Sequence, residues 1–260
     1  MNNFTINSRE EALKLMNIAV YAGKLLLRSG SEIYRIEKSV QDICSSHANI
    51  DSIEVFSMTT AIFISMKYQG ETISEMIRER EPSINLSYGK KVSNFTYDFC
   101  TKDISYEDAI AQLDDISSMK NYSLAFRSFG AGVTSAFFSV MFGGNINDFI
   151  SALFIGFIVF FIIGTPKKLK FTFFVDDFLA AFLSSLLAFF SIKAGFGHNI
   201  DMIIIGTIMP YVPGISLTIG VRDAMMGDYV SGVMEIIKAI FKALAIAIGV
   251  GIVLSIYIKG

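Results

Sequence analysis

From Leu124 to Ile258 the chain is a nearly continuous series of apolar runs, and this half constrains the fold more than any motif does. A helix needs about 20 apolar residues to cross a bilayer. Five candidates meet that requirement, at roughly 124–143, 148–165, 171–193, 201–220 and 231–257. A bilayer interior admits only helices or closed barrels, because backbone polar groups must be paired internally there. Runs of this length predict an all-α polytopic domain of five transmembrane helices over residues 121–260. Most charged residues lie in 1–120, which predicts a separate α+β domain there. Net charge is −2, so there is no electrostatic case for a nucleic-acid partner. The first 15 residues are polar and acidic and do not read as a cleavable signal peptide.

The fourth candidate helix is interrupted at Pro210 and Pro213-Gly214. Proline lacks the backbone donor and blocks the turn before it, so nearby carbonyls lose their helical partners. Inside a membrane such groups are tolerated where protein or a water-lined cavity satisfies them. Broken helices of this kind build substrate sites in many transporters. Thr218, Arg222 and Asp223 follow the break, and the sequence places the last two just beyond the end of the fourth helix. Freed carbonyls with Pro213, Gly214 and Thr218 would shape the site. Arg222 would attract a carboxylate or pair with Asp223.

Charge in the connectors sets an orientation. The 2–3 loop, Pro166 to Lys170, carries three lysines, Arg222 lies in the 4–5 loop, and Lys120 and Arg127 flank the first helix. The opposite side holds only Lys193 and Lys259. The positive-inside rule then puts the N-terminal domain in the cytoplasm and the C-terminus outside. Among ionisable residues in or beside the spans, snorkelling to the interface is the expected explanation for Asp148, Asp201, Lys238 and Lys242. Asp176 and Asp177 sit between apolar runs and resist it. Glu235 and Asp223 are the best candidates for a proton-coupling carboxylate, since desolvation raises a carboxyl towards neutrality. Gly130, Gly132, Ser135 and Ser139 on the first span, with Gly143-Gly144 at its end, read as close helix packing.

In the N-terminal domain, residues 8–29 read as a helix with Ser8 as N-cap, and 32–47 as a second. Residues 52–68 switch to β-branched and aromatic types and predict a strand pair, with 71–78 as a third strand or a helix. Helices follow at about 86–101 and 105–118, the latter capped by Ser105. One polar cluster stands out, comprising Ser29, Gly30, Glu32, Tyr34, Arg35 and Glu37. Three roles are open to it: a hydrolase-like site, a regulatory ligand pocket, or a docking face, with an internal Arg35–Glu ion pair as the structural alternative. No nucleophile–base pair is visible, so no catalytic residue is assigned. The two histidines are His47, read as a surface residue at a helix end, and His198. Cys44 and Cys100 form neither a CxxC nor a Cys/His cluster, and read as reduced thiols without a metal. No cofactor is implied.

Two runs carry a resemblance to a known family. Ala22 to Glu37 resembles the AGxLLLxSGAExYRVE opening of the threonine/serine exporter (ThrE-like) family. Val212 to Gly232 resembles its VPGxxLTNxIRDxxxGDxxSG signature, departing at Ile219-Gly220, where the pattern reads Asn-Ala. Members occur fused, with about ten spans, or split in two. This chain resembles the larger, N-terminal-half subunit of the split type, whose partner is a small integral-membrane protein. The resemblance implies proton-motive-force-driven export of a small polar metabolite, threonine or serine, across the inner membrane. The alternative it leaves is dicarboxylate (succinate) export. A membrane-tethered hydrolase-like or regulatory protein is the competing class.

Overall fold

The computed structural model describes residues 4–79, 85–119, 122–165 and 173–259. The lysine loop 166–170 and Lys120, on which much of the orientation argument rests, lie outside them. The chain forms two compact units. The first comprises Met1–Lys120 with Ile219–Glu235, and the second Asn121–Thr218 with Ile236–Gly260.

The first unit packs helices on one face of a three-stranded antiparallel sheet. Helix α1 (Arg9–Arg28) is capped by the Ser8 hydroxyl, which accepts from the Glu11 N–H. Its apolar stripe buries Leu15, Ile18, Ala19, Ala22, Leu25 and Leu26. Helix α2 (Ile33–Ser45) contributes Ile33, Ile36, Val40 and Ile43 to the same core. Strands β3 (Ile50–Met58), β4 (Ala61–Tyr68) and β5 (Glu71–Arg78) follow in the order β3-β4-β5. The third segment is thus a strand. Ile62, Ile64, Met66, Ile73 and Ile77 face the helices, at the alternate positions that strand geometry dictates. Helices α3 (Leu86–Thr101) and α4 (Tyr106–Ser117) close the core, capped by Asn85 and Ser105. A parallel pair of two-residue strands, β1 (Phe4–Thr5) and β2 (His47–Ala48), was not foreseen. Two residues carry no periodicity to read.

The second unit is helical. Helices α5 (Leu124–Met141), α6 (Ile146–Gly164), α7 (Phe173–Lys193), α8 (Ile200–Ile208), α9 (Gly214–Met226) and α10 (Tyr229–Lys259) complete the chain, α9 and α10 belonging partly to each unit. Among the described residues, four helices are long and apolar enough to cross a membrane, and a fifth span arises if the bent α8–α9 pair counts as one. The core between them joins an aliphatic cluster, including Ile155, Val159, Ile203 and Ile204, to closely packed small residues. Gly132 of α5 sits against the Leu153 carbonyl, where an added Cβ would come within 2.6 Å. Gly156 of α6 meets Ser135, and Gly206 of α8 meets the Ser135 carbonyl and Ser139. Gly132, Ser135 and Ser139 therefore let three helix backbones approach closely. Gly130 faces open space.

Asp148 does not snorkel. It is buried, closes a capping box with Asn145, and accepts from the His198 and Asn199 N–H groups at 2.7 and 3.0 Å. That ties the start of α6 to the turn before α8.

Candidate functional site

The break is a 3-10 turn, Met209–Tyr211, followed by Val212 in extended backbone and a bend of 51° between α8 and α9. The Gly214 N–H turns back to the Val212 carbonyl at 2.8 Å across Pro213. Thr218 donates its hydroxyl to the Gly214 carbonyl at 2.9 Å, one turn earlier on α9. Gly214 and Thr218 are exposed.

Arg222 and Asp223 are inside a helix, which corrects the sequence reading. Nothing between Val221 and Met226 breaks α9, and it stops only at Gly227. There the Asp228 N–H bonds the Asp223 carbonyl and the Gly227 N–H bonds the Ala224 carbonyl. This is a Schellman cap, and it needs the left-handed backbone that Gly227 supplies at φ +100°. Helix α10 then packs tightly on the end of α9, with Gly232 against the Gly220 carbonyl and Ala224.

In the first unit these residues meet the N-terminal polar cluster. Arg222 pairs with Glu32 rather than with its neighbour Asp223. Asp223 is buried, and its carboxylate accepts from the Ile33 N–H. Helix α2 needs that partner, since Glu32 makes no N-cap bond and its first turn has no acid. A carboxylate at an unpaired helix N-terminus contributes about 0.5–2 kcal/mol. The two runs that carried the family resemblance, 190 residues apart at Arg222 and Glu32, are therefore in contact.

The rest of the cluster disperses. Ser29 caps α1, giving its hydroxyl to the Leu26 carbonyl, and Gly30 holds φ +66° in a second Schellman turn. Tyr34 is exposed beside Lys38. Arg35 donates to Ser93 Oγ at 2.8 Å, not to a glutamate. Glu37 accepts from the Ser57 N–H at 2.8 Å. Burial raises its carboxyl above the ordinary value, and nearby Asp228 adds to this against the Ser57 hydrogen bond. Burial raises Asp228 too. Glu235, partly buried in α10, stands within electrostatic reach of Asp223.

His47 is half-buried and stacks on Phe99 with ring centroids 5.7 Å apart, not a surface residue. Its Nδ1 lies 2.9 Å from Ser46 Oγ, but that hydroxyl is buried and also bonds the Ile43 carbonyl at the end of α2. The thiols of Cys44 and Cys100 are free, and burial pushes them up to about 12 and about 11. Such thiols stay protonated and unreactive.

The second unit holds a different arrangement. Asp177, in the first turns of α7, keeps only 10% of its side chain exposed, and the Lys242 ammonium of α10 lies 3.2 Å from its Oδ2. Lys242 is thus a paired cation within the unit, not a snorkelling one. Tyr211, from the break itself, packs on Phe160 of α6 at 6.3 Å, and Arg127 of α5 lies 5.6 Å over that Phe160 ring. The Tyr211 hydroxyl is buried, has no hydrogen-bond partner among the described residues, and lies within electrostatic reach of Asp177. Sequence reasoning missed Tyr211, since a tyrosine between two prolines follows no helical period.

A polar unit joined to a bundle of membrane-crossing helices, with an ion pair beside a broken helix, is the build of a multi-pass membrane transport protein. The model of the ThrE family, described as "Putative threonine/serine exporter", matches residues 17–257, and the chain belongs to that family. No curated protein and no solved structure matches the chain.

Proposed function

We propose that this chain is the larger subunit of a two-chain secondary exporter of threonine and serine, driven by the proton-motive force and completed by a small integral-membrane partner. The observation that carries the reading is the family match across nearly the whole chain. The buried Asp177–Lys242 pair beside the helix break adds support, because an ionisable pair in a membrane bundle marks a solute pathway by default. An odd span count would let a partner supply an inverted half, the arrangement that builds a site between repeats. In this reading the first unit is cytoplasmic, the protein sits in the inner membrane, and with five spans the C-terminus lies outside.

Arg222 and Asp223 hold α9 to the N-terminus of α2, and Pro213, Gly214 and Thr218 set the bend that carries them. Asp223, Asp228, Glu37 and Glu235 together form the acidic group through which a coupling proton would act. The test is efflux of preloaded labelled threonine, serine and succinate from cells lacking their own exporters. The chain is expressed alone and with its small partner. Threonine and serine efflux only with the partner is expected. Efflux of succinate instead would move the substrate assignment to dicarboxylates, and efflux by the chain alone would remove the partner.

A further inference from the structure

We infer that Asp177, Lys242 and the Tyr211 hydroxyl form the recognition site for a zwitterionic α-amino acid bearing a side-chain hydroxyl. The inference rests on the exporter reading and deepens it by naming what selects the substrate. A buried charge in a membrane bundle persists only with a counter-charge, and Asp177 and Lys242 supply each other's at 3.2 Å. An α-amino acid carries its ammonium and carboxylate on one carbon. It can therefore enter between the two side chains, its carboxylate taking Lys242 and its ammonium taking Asp177. Each protein charge exchanges one partner for another, and the net charge of the site is unchanged.

A dicarboxylate cannot make that exchange. One of its carboxylates could take Lys242, but the substitution leaves the Asp177 carboxylate without a cation in a site where water is scarce. The arrangement thus separates the two substrate classes. Tyr211 supplies the second level of selection. Its hydroxyl is buried and without a partner among the described residues, and the ring is held by Phe160. A buried polar group left unpaired is costly, and a substrate hydroxyl placed against it removes that cost. A site built this way prefers threonine or serine over an isostere lacking the oxygen.

The test measures binding of labelled L-threonine, L-2-aminobutyrate and succinate to the full chain, purified in lipid nanodiscs with its membrane partner, by equilibrium dialysis. Wild type is expected to bind threonine about tenfold more tightly than 2-aminobutyrate, the ratio one hydrogen bond supplies. Tyr211→Phe is expected to remove that preference while leaving 2-aminobutyrate binding unchanged. Asp177→Asn and Lys242→Gln are expected to abolish binding of both amino acids. Because either single change leaves a buried charge unpaired, the exchange Asp177→Lys with Lys242→Asp serves as a second variant. It keeps the pair and is expected to restore a folded, amino-acid-binding protein. Threonine binding and cellular efflux that persist unchanged in Tyr211→Phe and in Asp177→Asn would overturn this site and leave the exporter reading standing. Wild-type protein that binds and exports succinate but neither amino acid would overturn both.

Discussion

The two units fill their interiors with different mixtures of residues. In the first, the fully buried side chains are large and aliphatic, among them Met16, Leu25, Leu26, Ile36, Ile43, Ile62 and Ile64. In the second, a small aliphatic cluster including Ile155, Val159, Ile203 and Ile204 is buried together with many small or polar residues, such as Ala136, Ala152, Ala180, Ser128, Ser135, Ser139, Ser185 and Thr207. Many of its large residues point outward, with Phe137, Phe154, Phe161, Ile162 and Phe190 all exposed. Water drives the first pattern, since removing apolar surface from it contributes about 25 cal/mol per Å². Lipid gives no such drive between helices, so the second unit is held by close backbone approach and hydrogen bonding. The same contrast explains the charged groups. Among the described residues of the first unit most ion pairs are exposed, as Arg9–Glu71 and Lys102–Asp98 are, and worth about 0–1 kcal/mol. The Asp177–Lys242 pair is largely enclosed and sits beside a helix break.

The change expected to break this contrast most severely is Gly206→Leu. Its side chain would have to occupy the space of the Ser135 carbonyl and Ser139, so α8 cannot seat against α5. Loss of the monodisperse peak in detergent size-exclusion chromatography is the expected result. Next comes a matched pair of truncations. Leu26→Ala in the first unit is expected to cost about 2–5 kcal/mol, by cavity creation. Phe154→Ala, on the outer surface of α6, is expected to cost under about 0.5 kcal/mol in a bilayer-like medium. Thermal denaturation of both variants in the same nanodisc checks the difference, and equal losses would break the contrast. Ser105→Ala removes the hydroxyl that caps α4 at the Asp108 N–H and is expected to cost about 1 kcal/mol, read the same way.

The smallest expected effect is one of pH. Burial holds Glu37 above its ordinary value of 4.5, so its protonated form favours the folded state. Its stabilising contribution is present below 4.5 and is lost as pH rises through the folded value. Glu37→Gln is therefore expected to flatten the fall in thermal stability of the full chain as pH rises from 4.5 towards neutrality. An unchanged slope would show that Glu37 is not the titrating group.

Much of this architecture is legible in local signals. Ser8 and Ser105 announce their helices because a hydroxyl at the N-cap satisfies an orphan N–H, and the structure places both as caps. The β-branched and aromatic types in 52–68 read as a strand pair, whereas 71–78 left strand and helix both open, and only its pairing with β4 decides it. What local pattern does not carry is contact between distant residues. Glu32 and Arg222 each look like half of a neighbouring pair, and only the fold joins them. The end of α9 was misplaced because a charged Arg-Asp step resembles a connector, whereas only Gly227 has the backbone freedom to stop the helix. Lys242 looks like an interfacial lysine on a long apolar helix until Asp177 is seen opposite it. The Tyr211 hydroxyl, at a break with no period, gave no signal at all.

The central claim is that the apolar outer surface of the second unit faces lipid while the equally apolar exposed residues of the first do not. The chain has no tryptophan, so a single introduced one is a unique probe. Phe154 is 59% exposed on α6 and Tyr97 is 69% exposed on α3. Phe154→Trp and Tyr97→Trp variants would be reconstituted in bilayers whose acyl chains carry bromine, a short-range quencher of indole fluorescence. The account predicts strong quenching of the tryptophan at 154 and none at 97. Equal quenching at the two positions, or none at 154, would contradict it.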